Sequence, residues 1–224
     1  MKEWRGIFLP DNEQHLIENL LRTGHERAGK PVYQSQKYNT ALSCFKSRNV
    51  AVDIGANLGL WSRVMGLDFE KVHSFEPVPE YIECFKKNAP QANVELHEIA
   101  LGSKSGKISL AKRAGAQSCG DTGPCTKEKG ETIVARNVTM KTLDSFELEG
   151  VDFIKVDCEG YELDVLKGAE ETILRCKPCI IVEQKPGHAQ RYGHEETEAV
   201  DYLESLGMKL YVELSGDFIF KFDD

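Results

Sequence analysis

Two short acidic stretches hold the residues whose types and spacing suggest chemistry. The first is Val52-Asp53-Ile54-Gly55-Ala56-Asn57-Leu58-Gly59, a strand-like run that ends in a glycine-rich turn. It is not the dinucleotide fingerprint G-x-G-x-x-G, because Asn57 occupies the middle glycine position. Asp53 stands two residues before the first glycine, where a ligand amine or cation would be welcome. Glu76 ends the next apolar run, at the spacing where a carboxylate can chelate a ribose diol, and Pro77 then turns the chain. A ligand with a ribose and a cationic, pyrophosphate-free tail fits both features, and S-adenosylmethionine is such a ligand. In the plainer reading, Asp53 and Gly55 only shape a strand-to-helix turn and Glu76 is a solvated strand end.

The second stretch is Asp152-Phe153-Ile154-Lys155-Val156-Asp157-Cys158-Glu159-Gly160-Tyr161-Glu162. Asp157 stands where a strand emerges at the carboxyl edge of a sheet, the edge at which open α/β folds bind ligands. Glu159 follows at the turn and Glu162 enters a helix. Asp157, Glu159 and Glu162 would repel one another unless a cation or a hydrogen-bond donor sits between them. Glu162 has a second reading, as an acid favourably placed at a helix N-terminus. The cysteines offer less: there are seven, at 44, 84, 119, 125, 158, 176 and 179, with no repeating spacing. Cys176 and Cys179 have CxxC spacing, but no second CxxC completes a four-ligand zinc site, so ordinary thiols and no metal are expected.

The elements that must position these residues can be read from the apolar pattern. Val50–Ile54, Lys71–Glu76, Val94–Ile99, Asp152–Asp157 and Cys179–Glu183 read as strands. Helical stretches follow them, through Leu67, over Pro79–Asn88, over Tyr161–Cys176 and near Thr197–Leu206. Strand and helix alternating at this spacing means right-handed crossovers and a mostly parallel sheet covered on both faces. The end differs: runs over Met208–Leu214 and Asp217–Phe222 are separated only by Ser215-Gly216, which forces an antiparallel hairpin. Residues 1–45 read as a helical preface, with Asp11 and Asn12 capping a helix that ends at Gly24 and a second helix over Tyr38–Phe45. The preface either packs on an outer face, the plainer reading, or caps a pocket. Residues 46–224 form the main domain. The polar stretch 112–136 is too long for an ordinary connection and reads as a mobile segment or a lid, with Lys107–Ala111 and Ile133–Met140 able to pair as a small extra hairpin.

Composition narrows the function classes. With 224 residues the chain can bury a sizeable core without staples, and a charged fraction of 29% beside 41% hydrophobic residues argues against disorder. The net charge of −8 disfavours a broad electrostatic grip on nucleic acid or anionic lipid. No stretch approaches the ~20 apolar residues of a membrane span, and the charged N-terminus is unlike a secretory leader. A cytoplasmic protein with no nucleic-acid and no membrane partner is expected.

Taken together, VDIGANLGLWS, FEPVPE, EIALG, MKTLDSF and FIKVDCEGYELDVLKGAEETI resemble the FkbM-type S-adenosylmethionine-dependent methyltransferases over about residues 48 to 185. The KVDCEGYE block is the specific part, since many methyltransferases share the glycine loop. The resemblance implies a Rossmann-like, seven-stranded, mostly parallel sheet with a reversed C-terminal hairpin strand, helices on both faces (the class I methyltransferase fold), and methyl transfer to a hydroxyl of a sugar or small natural product. It puts Asp53, Gly55, Ala56, Asn57 and Gly59 around the methionine moiety, Glu76 on the ribose, Pro77 beside the adenosine, and Ile99 and Ala100 against the adenine. Asp157 and Glu159 would face the methyl group and the acceptor.

A hydroxyl is a poor nucleophile, so a general base would help. Asp157, Glu159, Glu183 and His188 are candidates. His188 lies in the Lys185-Pro186-Gly187-His188 loop after a strand, and its alternative reading is an exposed loop histidine. A divalent metal between Asp157 and Glu183 lacks a third protein oxygen at recognisable spacing and is not expected. Tyr33, Gln117, Ser118, Tyr161 and His188 are expected to line the acceptor pocket by position. Two other functions stay open at this point: a non-catalytic cofactor-binding module, and an NAD-dependent oxidoreductase, which the missing middle glycine disfavours.

Overall fold

The chain opens with two small hairpins and two helices. β1 (Lys2–Trp4) pairs with β2 (Ile7–Leu9), α1 (His15–Thr23) follows, β3 (Glu26–Arg27) pairs with β4 (Lys30–Pro31), and α2 (Ser35–Leu42) closes the segment. In this computed structural model the residues described are 1–11, 13–23, 25–45, 47–113, 122–126 and 130–223. Asn12 and Gly24, expected to bound the first helix, lie outside them. The hairpins are too short to show in an apolar pattern, with strands of two or three residues. α2 starts at Ser35 and not at Tyr38; just ahead of it Trp61 Nε1 donates to Gln34 Oε1 at 2.9 Å.

From β5 (Val50–Ile54) the chain alternates: α3 (Leu60–Asp68), β6 (Lys71–Phe75), α4 (Pro79–Asn88) and β7 (Val94–His97). A second sheet interrupts, built from β8 (Ala100–Leu101), β9 (Gly106–Lys112), β10 (Thr122–Pro124) and β11 (Thr132–Lys141), in the order β10-β9-β11-β8. The expected hairpin over 107–111 and 133–140 is therefore present as β9 and β11, antiparallel and with shifts of register near Ala135. The main sheet resumes with β12 (Val151–Val156), α5 (Glu162–Lys167), α6 (Glu170–Cys176), β13 (Cys179–Glu183), α7 (Glu198–Ser205), β14 (Lys209–Leu214) and β15 (Asp217–Lys221). Its seven strands run β14-β15-β13-β12-β5-β6-β7, parallel except for β15, which is antiparallel to β13 and to β14. The helix expected over Tyr161–Cys176 is two helices, because the carboxylate of Asp144 accepts from Glu171 N at 3.1 Å and Thr172 N at 2.8 Å and so caps a new start.

Alternation along the strands sorts side chains between two cores. Val52, Ile54, Ile154, Val156, Ile180 and Val182 pack on one face, against Leu163, Leu166, Ile173 and Leu203 of α5, α6 and α7. Ala51, Phe153, Cys179 and Ile181 pack on the other, against Tyr38 of α2 and Trp61, Val64 and Met65 of α3. Burying a side chain such as Phe153, which is 0% exposed, is worth about 1.5–3 kcal/mol. The same face also carries three polar residues: Asp53, Ser74 and Lys155 sit in register on β5, β6 and β12. No helix among the described residues is long and apolar enough to cross a membrane.

Candidate active site

A cavity of about 1000 Å³ opens over the carboxyl ends of β5, β6, β12 and β13. That is the upper end of the range for small-molecule sites, with room for two ligands side by side. Glu76 follows β6 and Glu183 ends β13, three strand steps apart in the sheet, or about 14 Å at ~4.8 Å a step.

The turn after β5 is built from the backbone outward. Gly55 has φ +73°, and a Cβ there would lie 1.9 Å from the carbonyl oxygen of Asp157, so any side chain would drive β5 and β12 apart. Glu76 holds the turn: its Oε2 accepts from Asn57 N at 2.7 Å and its Oε1 from Val78 N at 2.8 Å. Burial pushes the Glu76 carboxyl up to about 7, against the two backbone donors that favour its charge. Gly55, Ala56, Asn57, Glu76 and Pro77 all line the cavity, as do Ile99 and Ala100.

Asp53 and Gly59 do not. Asp53 is fully buried beneath the turn, where its Oδ2 accepts from Ser62 Oγ at 2.5 Å and Oδ1 stands 3.7 Å from Lys155 Nζ. Its side chain points to the α3 face of the sheet and not out of the edge, so the expectation that it greets a ligand amine directly is corrected. Gly59 abuts the Phe85 ring behind the loop.

Lys155 supplies the cation that the neighbouring acids require. Its Nζ lies 3.3 Å from Asp157 Oδ2, and its side chain is 7% exposed. Burial alone would depress this ammonium, but the charges of Asp157 and Asp53 outweigh burial and hold it protonated. Burial would likewise raise Asp157, but Lys155 and Lys185 hold it below the ordinary carboxylate range, so it presents a charged oxygen to the cavity. Sequence reasoning passed over Lys155; the available signal was a lone lysine in an apolar strand, on the same face as Asp53 and Asp157. Glu162 finds donors instead. Its Oε1 accepts from Cys158 N at 2.8 Å and Gly160 N at 3.1 Å, so it ties the turn together and stays out of the cavity.

That turn meets the loop after β13. A Cβ on Gly160, at φ +104°, would lie 2.3 Å from the carbonyl oxygen of His188, so the two backbones touch. His188 is thereby carried inward: it lines the cavity, its side chain is 16% exposed, and its Nδ1 lies 3.3 Å from Glu159 Oε2. The exposed-loop reading of His188 is corrected. Glu183 joins them; its Oε1 pairs with Lys185 Nζ at 2.7 Å, while its buried Oε2 has no hydrogen-bond partner. Burial, then the charge of Asp157, pushes Glu183 up to about 8. The donor atoms of Glu159, Glu183 and His188 lie within 4.8 Å of one another, a set that could share a proton network or hold a cation.

The roof comes from the preface and the second sheet. Gln14, His15 and Leu16 of the α1 region, with Tyr33, also line the cavity, so the preface does more than pack on an outer face. Ile108, Leu110, Thr122 and Pro124 complete that wall. Tyr33, Tyr161 and His188 are lining residues as expected, whereas Gln117 and Ser118 lie outside the described residues.

Comparison with known proteins bears on the family and the fold. The chain is 26% identical over 167 residues to Methyltransferase 1 of Beauveria bassiana, an alignment covering 63% of this chain and 66% of that relative, just under two thirds of its length. It is 24% identical over 191 residues to 2-O-methyltransferase NoeI of Sinorhizobium fredii, covering 77% and 79% of the two chains. The crystal structure of precorrin 8w decarboxylase from Methanobacterium thermoautotrophicum shares the fold, with a TM-score of 0.51 at 16% identity over 85% of this chain and 91% of that one. The family model described as Methyltransferase FkbM domain matches residues 53–210, from the buried acid of β5 to the start of the terminal hairpin, and the chain belongs to that family.

Proposed function

We propose that this protein transfers a methyl group from S-adenosylmethionine to a hydroxyl oxygen of a sugar or small natural product. The observation that carries the reading is one cavity with two kinds of end: a glycine turn held by the buried carboxylate Glu76, and about 14 Å away the cluster of Glu159, Glu183 and His188. The residues fit the cofactor. Glu76 keeps lone pairs beside its two backbone donors to accept from a ribose diol, and Gly55 lets β5 and β12 close together under the turn that carries it. Asp157 offers negative charge to a cationic ligand, which the methionine end of the cofactor is. A relative named for 2-O-methyl transfer supports an oxygen acceptor.

When bound, the cofactor supplies an activated methyl group and a good leaving group. The protein's share is alignment, exclusion of water and the proton. His188, held by Glu159, is assigned to take the proton of the acceptor hydroxyl, and Glu159 then stabilises the imidazolium. Lys155 fixes Asp157 in its charged form under the reacting centre. Tyr33, Trp61 and Tyr81 offer ring faces and Tyr33 and Tyr81 hydroxyls to an acceptor such as a sugar. The test is formation of S-adenosylhomocysteine from S-adenosylmethionine with a panel of sugars and hydroxylated natural products. His188→Ala should lower the rate about 100-fold or more while cofactor affinity holds. Turnover that is unchanged in His188→Ala would remove the histidine from the mechanism.

A further inference from the structure

Outside the cavity, the parallel pair β6 and β7 brings a second donor cluster together. His73 and Glu95 are direct neighbours across the two strands, and His97 follows Glu95 by two residues on the same face. His73 Nδ1 and His97 Nε2 are 3.0 Å apart, Glu95 Oε2 is 3.9 Å from the first and Glu95 Oε1 3.8 Å from the second. A tetrahedral ion with bonds of about 2.0–2.1 Å separates its donors by roughly 3.3–3.4 Å, so this triangle needs only small shifts to close on one.

We infer that His73, Glu95 and His97 form a site for a divalent transition metal of the zinc class. Two imidazoles and one carboxylate are the donor set such ions favour over magnesium or calcium. The ring planes are already set: His97 stacks on Phe75 with centroids 4.6 Å apart, and His73 stacks on His97 at 5.3 Å. The two facing nitrogens share one proton as N–H···N; its move to the other nitrogen of the same imidazole frees both lone pairs for an ion with no net proton released. The histidine side chains are 14% and 16% exposed and Glu95 47%, which leaves water a path to the fourth position. Lys71 now pairs with Glu95 at 2.6 Å, an exposed ion pair that is cheap to displace. Because β7 is the edge of the sheet, an ion here would clamp the edge strand to its neighbour.

The inference stands apart from the methyl-transfer reading, since these residues do not line the cavity. It is tested by titrating the chelator-treated full chain with cobalt(II) as a visible stand-in for zinc. One equivalent should bind with the intense d–d bands of a four-coordinate ion, and zinc should displace it. His97→Phe keeps the stack on Phe75 but cannot ligate, and Glu95→Gln alters a half-exposed side chain that the fold does not need. Each should weaken binding at least about tenfold. Absence of the bands in the parent would overturn the site. So would bands that survive both variants but vanish in His188→Ala, which would put the ion in the cavity instead.

Discussion

Replacing Lys155 by methionine keeps an unbranched apolar chain, one atom shorter, and removes the ammonium. The ammonium sits 3.3 Å from Asp157 and 3.7 Å from Asp53, in a position 7% exposed. Removing one member of a buried charge cluster leaves carboxylates unpaired and costs about 3–5 kcal/mol, whereas removing partners together costs far less. Lys155→Met should therefore lose about 3–5 kcal/mol in urea unfolding, and Lys155→Met/Asp53→Asn should recover at least about 1 kcal/mol of it. A stability of the usual 5–15 kcal/mol leaves the single variant folded enough to measure. The deficit also has a sign in pH. In the parent, Asp157 is held below its ordinary range, so its stabilising contribution is complete above the unfolded pKa and is lost as pH falls through the folded one. Without Lys155, burial dominates and raises the folded pKa, so the variant loses stability as pH rises. Its deficit should be larger at about pH 8 than at about pH 5. A deficit under about 1 kcal/mol that is flat in pH, or a double variant no better than the single, would refute the cluster as described.

Glu76→Gln should weaken S-adenosylhomocysteine binding roughly 10- to 100-fold by calorimetry, the loss of one charge-assisted hydrogen bond of about 1.5–3 kcal/mol. In the parent that affinity should rise with pH through about 7, as Glu76 ionises, and the variant should lose the rise. Gly55→Ala puts a Cβ 1.9 Å from the Asp157 carbonyl oxygen and should cost more than about 2 kcal/mol in urea unfolding. Burial raises Glu162 to about 7, above its unfolded value of about 4.3. Its contribution is therefore complete below that unfolded value and is lost as pH rises through about 7, so Glu162→Gln should flatten the fall in stability across that window.

The strands were legible because a sheet buried on both faces writes itself as short apolar runs, and Val50–Ile54 and Cys179–Glu183 have the predicted bounds. The reversal at the end was legible from Ser215 and Gly216, which adopt φ +53° and +83° in a two-residue hairpin turn. Directions of side chains were not. Asp53 and Lys155 face each other across β5 and β12 because the register pairs them, and register is a property of two strands, not of either sequence segment. His188 turns inward because a glycine 28 positions earlier lets two backbones touch, a contact no local pattern announces. Glu183 is legible as a strand-end acid, but its unpartnered oxygen beside Glu159 depends on the same contact. The lining from the α1 region was hidden for a related reason, although Tyr33 was expected: amphipathic helices read alike whether they cover a core or a cavity.

On the proposed function, the cavity takes a sulfur-linked adenosine without a pyrophosphate. A thermal-shift titration with S-adenosylhomocysteine, run beside NAD, tests it most directly. At about 100 times the dissociation constant the ligand should add about 2.7 kcal/mol, which for a chain of this size raises Tm by roughly 5–11 °C. That rise is expected with S-adenosylhomocysteine and none with NAD. No rise with S-adenosylhomocysteine, or an equal rise with NAD, would contradict it.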